Sequence, residues 1–264
     1  MTSHNNLIIG QSGGATAVIN ASLVGAVEAA LAEERIDGIY GMHHGVEGLL
    51  KEDMIDLRQQ TSSVWTRLLY TPSAALGTCR YKLTDEDPER VITILRKYNI
   101  QLLLYIGGND SADTAHRLAL TAQHMNYELR AISVPKTIDN DLPFTDHCPG
   151  YGSAARFIAL ATLDSSMNTK AIPWYYPVKV IETMGRDAGW LTASSALAKH
   201  DESDPPHILL IPEQRFNADR FLRQVEEVYR REGYVVVVAA EYLVSSTSTV
   251  LLRNSPKSQS RSGG

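Results

Sequence analysis

A lysine, a threonine and two aspartates stand within the run Pro135 to Asp141, "PKTIDND", at the end of the apolar stretch "LRAISVP". Lys136 can place a point charge on a phosphate, and either of the closely spaced carboxylates of Asp139 and Asp141 can take a proton from a hydroxyl acceptor. The same residue types also make polar loops with Asx-type turns, the commonest use of clustered Asn and Asp.

Four other clusters carry comparable chemistry. In "IIGQSGGATAVIN", Gly13 and Gly14 stand between an apolar run and a helical pattern, where glycines let the backbone approach a ligand and the helix N-terminus favours phosphate. That segment fits neither GxGxxG nor GxxxxGK[ST], and glycines so placed serve plain strand-to-helix packing as often. In "LLLYIGGNDSADTA" the device is repeated, with Gly107 and Gly108 followed by Asn109, Asp110 and Ser111, which also read simply as helix-capping residues. Two glycine-rich helix starts in one sheet argue for one polyphosphate held between them, and a carboxylate beside it could hold magnesium, placing Asn109 and Asp110 as candidate metal residues. In "VIETMGRDAGW", Met184, Gly185 and Arg186 end an apolar run, and Arg186 can clamp a transferring phosphoryl group or simply face solvent. "VVVVAAE" sets Glu241 at a strand end as an acceptor for a sugar hydroxyl or as a terminal acid in water. Arg80 and Lys82 in "GTCRYKL" read either as ligand contacts or as surface charges.

The elements that must position these residues alternate along the chain. Short apolar runs ("NLIIG", "QLLLYIGG", "LRAISVP", "PVKVIETMG", "HILLIPE", "YVVVVAAE") are interleaved with longer helical patterns such as "AVINASLVGAVEAALAEE" and "NADRFLRQVEEVYRREG". Strands apolar on both faces, separated by helices, predict an α/β fold with parallel sheets flanked by helices. In open sheets of this kind ligands gather outside the carboxyl ends of the strands, which is where "PKTIDND", the two glycine turns, "MGR" and Glu241 fall, while Arg80 and Lys82 stand apart. With 44% hydrophobic and 21% charged residues the chain has the composition of a soluble globular protein. A net charge of -5 with scattered basic residues gives no footprint for nucleic acid or an anionic membrane. Cys79 and Cys148 have no metal-ligand spacing and suit a reducing, cytoplasmic setting. The N-terminus lacks the pattern of a secretory signal, and the longest apolar run is of strand length. From Ser245 to Gly264 there are seven serines and no acid, so residues 244–264 are expected to be a disordered tail.

Taken in order from residue 7 to 241, these segments resemble the phosphofructokinase family. The resemblance is carried by "SGG" followed by Asn20, the "GG" with Asp110 and Ser111, "PKTIDND", "MGR" and the strand-end Glu241. It implies phosphoryl transfer to the 1-hydroxyl of fructose 6-phosphate, with Mg2+ as cofactor, in a two-lobed fold. Residues 1–138 would form a donor-binding lobe and 139–243 a fructose 6-phosphate-binding lobe, with the reaction in the cleft. By the same resemblance Asp139 is the proton acceptor, accompanied by Thr137 and Asp141. Gly13 and Arg80 meet the phosphoryl donor, Met184 to Arg186 the sugar phosphate, and Glu241 the sugar. ATP-using bacterial members resemble one another in carrying glycines where this chain has Asp110 and Lys136. A side chain at Asp110 would intrude on a nucleotide α-phosphate, while Lys136 can stabilise a pyrophosphate leaving group, so pyrophosphate is the expected donor and ATP the alternative. This sequence departs from the family in placing Asn109 where a magnesium-binding aspartate is usual. It also has Pro177 at the position of a sugar-phosphate arginine, with Lys179 nearby as a substitute. Family members continue past Glu241 with a basic, histidine-containing segment that this sequence does not show, so a C-terminally truncated chain is expected. A homo-oligomer is implied, and a non-catalytic relative that binds phosphorylated ligands is the reading of another class.

Overall fold

The computed structural model describes residues 5–245. The chain divides into two compact units, one running to Ile138 and including Leu142–Gly150, the other made of Asp139–Asp141 and the residues from Tyr151 onward. The run "PKTIDND" is therefore shared, with Lys136 and Thr137 in the first unit and Asp139 and Asp141 in the second.

In the first unit, β1 (Asn5–Gln11), β2 (Ile36–Met42), β3 (Met54–Asp56), β4 (Ile100–Gly107) and β5 (Arg130–Pro135) form a sheet of order β3-β2-β1-β4-β5. All neighbours are parallel except β3, which pairs antiparallel with β2. The β2–β3 connection carries only the five-residue α2 (Gly45–Leu49), too little for the crossover that a parallel pair requires. The remaining helices are α1 (Ile19–Leu31), α3 (Ser62–Leu68), α4 (Asp87–Lys97) and α5 (Asn109–His124). Alternation along the strands builds two cores. Ile8, Leu103 and Tyr105 pack with Val91, Ile92 and Leu95 of α4 and Ala115 and Leu118 of α5. Leu7, Ile9 and Ile106 pack on the opposite face with Ile19, Leu23, Val24 and Val27 of α1. Burying both faces is what makes β1 and β4 read as unbroken apolar runs.

The second unit holds β6 (Val178–Thr183), β7 (Ile208–Leu210) and β8 (Val235–Ala240) in the order β6-β8-β7, all parallel, with α6 (Tyr151–Ala171), α7 (Trp190–Ser194) and α8 (Ala218–Glu232). All six residues of the central β8 are buried. On one side Val235, Val237 and Ile208 meet Val228, Phe221 and Val225 of α8. α8 begins where the Asn217 side chain accepts from the Arg220 N–H at 2.9 Å and ends at Gly233, whose φ of 78° suits a glycine.

Three sequence expectations are adjusted. The strands β5 and β6 are not buried on both faces: Ile132 is 55% and Val180 60% exposed, because among the described residues each forms the edge of its sheet. The helical pattern "GWLTASSALAKH" gives only a five-residue α7 followed by a 3-10 turn at Ser195–Ala198. There the hydroxyls of Ser194 and Ser195 donate to the carbonyls of Leu191 and Thr192 at 2.7 and 2.6 Å, competing with the regular helical ladder. Of the tail expected to be disordered from residue 244, Val244 accepts from the Phe216 N–H at 2.8 Å and Ser245 bridges to Phe216. The rest of that segment, 246–264, lies outside the described residues. No helix among the described residues is long and apolar enough to cross a membrane.

Candidate active site

Because β1, β4 and β5 are neighbours, their carboxyl ends bring the two glycine turns and Lys136 together. The Ser12 N–H donates to Ile106 O at 2.9 Å and the Lys136 N–H to Gly107 O at 2.9 Å, so each strand end is stitched to the next. Lys136 is only 5% exposed, and its ammonium donates to Gly14 O at 2.6 Å. Gly13 has a φ of +77°, and a Cβ there would come within 3.3 Å of Lys136 Nζ. The Gly13 N–H donates to Cys79 O at 3.3 Å, which fixes the residue before the exposed Arg80 against this turn. That N–H is thus engaged within the chain, and the glycine's contribution is close approach rather than a free donor. At the second turn a Cβ on Gly107 would lie 2.0 Å from Ser111 Oγ, so only glycine fits. Gly108 is the N-cap of α5, with no side chain to cap it. Asn109 and Asp110 open the helix, both exposed.

These residues bear on a metal in a limited way. Among the described residues no three His, Cys, Asp or Glu side chains gather as a metal cluster. One carboxylate, Asp110, with the amide of Asn109 beside it, fits a magnesium ion that arrives on phosphate oxygens better than one held by the protein alone.

Behind Arg80 lies a structure that the sequence reading did not single out. Asp87, 2% exposed, accepts from Tyr81 Oη at 2.7 Å and from the Thr84 N–H and hydroxyl at 2.8 and 2.7 Å. The bonds from Thr84 and then Tyr81 hold its carboxyl below the usual aspartate range. Arg117 adds bonds to the carbonyls of Leu83 and Thr84 at 3.0 and 3.1 Å. Asp87 next to Pro88 is a helix-start signal, an acid and a proline in the first turn of α4, so this anchor was visible in principle.

In the second unit, Asp139 and Arg186 come near each other. Asp139 Oδ2 lies 4.0 Å from Arg186 Nε, with the aspartate side chain 14% and the arginine 67% exposed. The "MGR" turn after β6 takes two successive left-handed residues, Gly185 at φ 136° and Arg186 at φ 52°. A single oxygen holds it: Glu241 Oε1 accepts from the Gly185 N–H at 3.1 Å and from the Arg186 N–H at 2.8 Å. Successive N–H groups in such a turn form a nest that attracts a carboxylate. Glu241, expected to meet a sugar, therefore also shapes the loop that carries Arg186. The far end of the loop is held by a residue that sequence reasoning missed. Glu213 Oε1 accepts from the Gly189 N–H at 2.7 Å. It follows β7 in "HILLIPE", and the strand-end rule that selected Glu241 applies equally to it. Lys179, named as a substitute sugar-phosphate cation, donates from its ammonium to Ser165 O on α6 at 2.7 Å. Thr137, in the first unit, pairs with Gly150 and donates its N–H to Pro149 O at 3.1 Å. Asp141 is half-buried, and Met184 is 60% exposed beside Arg186.

The first unit thus holds a glycine-cradled lysine at the ends of three parallel strands, and the second an aspartate beside an arginine turn. The chain belongs to the phosphofructokinase family, which it matches over residues 6–260. It is 43% identical over 244 residues to the pyrophosphate–fructose 6-phosphate 1-phosphotransferase of Halomonas elongata, covering 90% of this chain and 58% of that protein. The crystal structure of a pyrophosphate-dependent phosphofructokinase from Marinobacter aquaeolei is similar at 44% identity and a TM-score of 0.84, covering 90% of this chain and 60% of that one. That from Nitrosospira multiformis is similar at 40% identity and a TM-score of 0.87, covering 94% of this chain and 63% of that one. The chain thus spans rather less than two thirds of the length of these relatives.

Proposed function

We propose that this chain transfers a phosphoryl group from pyrophosphate to the 1-hydroxyl of fructose 6-phosphate, giving fructose 1,6-bisphosphate and phosphate, in a reversible step. The observation that carries the reading is Lys136, a buried cation set beneath the Gly13–Gly14 turn, with Asp139 three residues further on. Asp139 takes the proton from the sugar hydroxyl as its oxygen attacks the transferring phosphorus, and the bond to the departing phosphate breaks. Lys136 neutralises charge that develops on that leaving group, and Gly13, Gly14, Gly108 and Arg80 line the donor position. Arg186, Met184 and Gly185 meet the sugar phosphate, with Thr137, Asp141 and Glu241 beside them. Asn109 and Asp110 would hold a magnesium ion arriving with the donor, and it would supply further charge neutralisation. Little covalent chemistry is asked of the protein, so positioning and charge account for most of the rate.

Pyrophosphate is favoured over ATP by Asp110, an exposed acid in the first turn of α5 that adds like charge and bulk where a nucleotide would extend. The names of the Halomonas, Marinobacter and Nitrosospira relatives support the same donor. Two free, buried cysteines suit a reducing compartment such as the cytoplasm. The exposed Phe157, Trp174, Tyr175 and Val180 suit assembly with further copies. Asp139→Asn tests the assignment: turnover should fall by about 10²–10⁴-fold while the affinity for fructose 6-phosphate, measured by calorimetry, is kept. A variant that retains turnover would remove Asp139 from the role of base.

A further inference from the structure

Gln11 ends β1 and Asn20 lies in the first turn of α1, so the pair flanks the Gly13–Gly14 turn on both sides. Both are buried, at 0% and 1% exposure, although neither has a place in the transfer step. Burying two amides is costly unless their bonds are made, and here the bonds run to particular places. Gln11 Nε2 donates to Ile19 O at 3.0 Å and to Asn20 Oδ1 at 3.1 Å. Gln11 Oε1 accepts from the Leu76 N–H at 2.9 Å. Asn20 Oδ1 also accepts from the Ala75 N–H at 2.8 Å, and Asn20 Nδ2 donates to Thr71 O at 2.9 Å. The backbone donors of Ala75 and Leu76 must face oxygens, which fixes the orientation of both amides.

Three of these bonds therefore reach the irregular segment 71–76, whose backbone has no strand to pair with, and that segment leads directly to Cys79 and Arg80. Cys79 is joined back to the turn by the Gly13 N–H at 3.3 Å. Apolar residues at 11 and 20 would fill the same space and leave these backbone groups unsatisfied.

We propose that Gln11 and Asn20 are a positioning pair: they lock the Arg80 segment to the Gly13–Gly14 turn and so set affinity for the phosphoryl donor, without setting affinity for the sugar. This rests on the donor-binding reading of Gly13 and Arg80 given above. The test uses Gln11→Met, of similar volume but without the bonds, and Ala75→Pro, which removes one N–H from the exposed loop side and leaves the core intact. For each, Kd for pyrophosphate and KM for pyrophosphate and fructose 6-phosphate are measured beside a melting curve. The expected result is a rise of about tenfold in the pyrophosphate constants with the sugar KM within about twofold of the wild type. A purely structural pair would lower the melting temperature and the active fraction with neither KM moved. Unchanged constants, or equal rises in both, in folded variants overturn the proposal. Should the wild type use ATP instead, the donor assignment falls, and the same split measured with ATP still decides the role of the pair. Binding of neither donor to the wild type overturns both.

Discussion

Lys136 shows how one side chain can be both buried and charged: its ammonium is met by Gly14 O at 2.6 Å and closed in by Gly13, the residue whose Cβ would stand 3.3 Å away. Lys136→Met should cost about 10²–10³-fold in pyrophosphate-dependent kcat/KM, the usual loss for a group aimed at developing charge. Lys136→Arg should not restore it, because a planar, longer guanidinium has no room there. Steady-state rates of the two variants check both statements. At Glu241 two substitutions should differ. Gln retains an oxygen for the Gly185 and Arg186 N–H groups and should keep the sugar-phosphate KM within a few-fold, whereas Ala frees the turn and should raise it by about tenfold or more. Lys136, Asp139 and Arg186 were legible in the sequence because each follows a strand and its chemistry needs no partner to be recognised. Gln11 and Glu213 were not, since their meaning lies in backbone groups of Leu76 and Gly189, which no local pattern announces.

At the scale of elements, the turn after β6 and the buried Asp87 at the start of α4 each carry a measurable consequence. Gly185 has a φ of 136°, and a Cβ would sit 2.5 Å from Ala188 O, so Gly185→Ala should destabilise by about 1–3 kcal/mol in denaturant unfolding. Asp87 carries a pH dependence. Its folded-state pKa is held down by Thr84 and Tyr81, so the unfolded chain binds the proton more readily. The stabilisation is complete above about pH 4, the unfolded aspartate value, and fades as pH falls through the lower folded one. Asp87→Asn should therefore be less stable than the wild type at pH 7 by about 1–3 kcal/mol, with the difference shrinking as the pH falls in unfolding curves. The alternation of strands and helices was readable because β1, β4 and β8 are apolar on both faces. The exposure of Ile132 and Val180 was not, because it depends on which strands lie at a sheet's edge. Likewise the early end of α7 depends on serine hydroxyls choosing the helix backbone.

For the whole molecule, the chain crosses from one compact unit to the other within the same short run that holds Lys136 and Asp139. The first unit thus holds Lys136, Arg80 and the glycine turns, and the second holds Asp139, Arg186 and Glu241. The order of motifs carried the family from the sequence alone, because a glycine turn and four charged clusters at successive strand ends rarely coincide by chance. The central claim is the donor. The most direct measurement is fructose 1,6-bisphosphate formation by this chain from fructose 6-phosphate and magnesium, with pyrophosphate and ATP supplied in parallel. Product should form with pyrophosphate and none above background with ATP; product with ATP alone, or with neither donor from a folded sample, would rule out pyrophosphate as the donor for this chain.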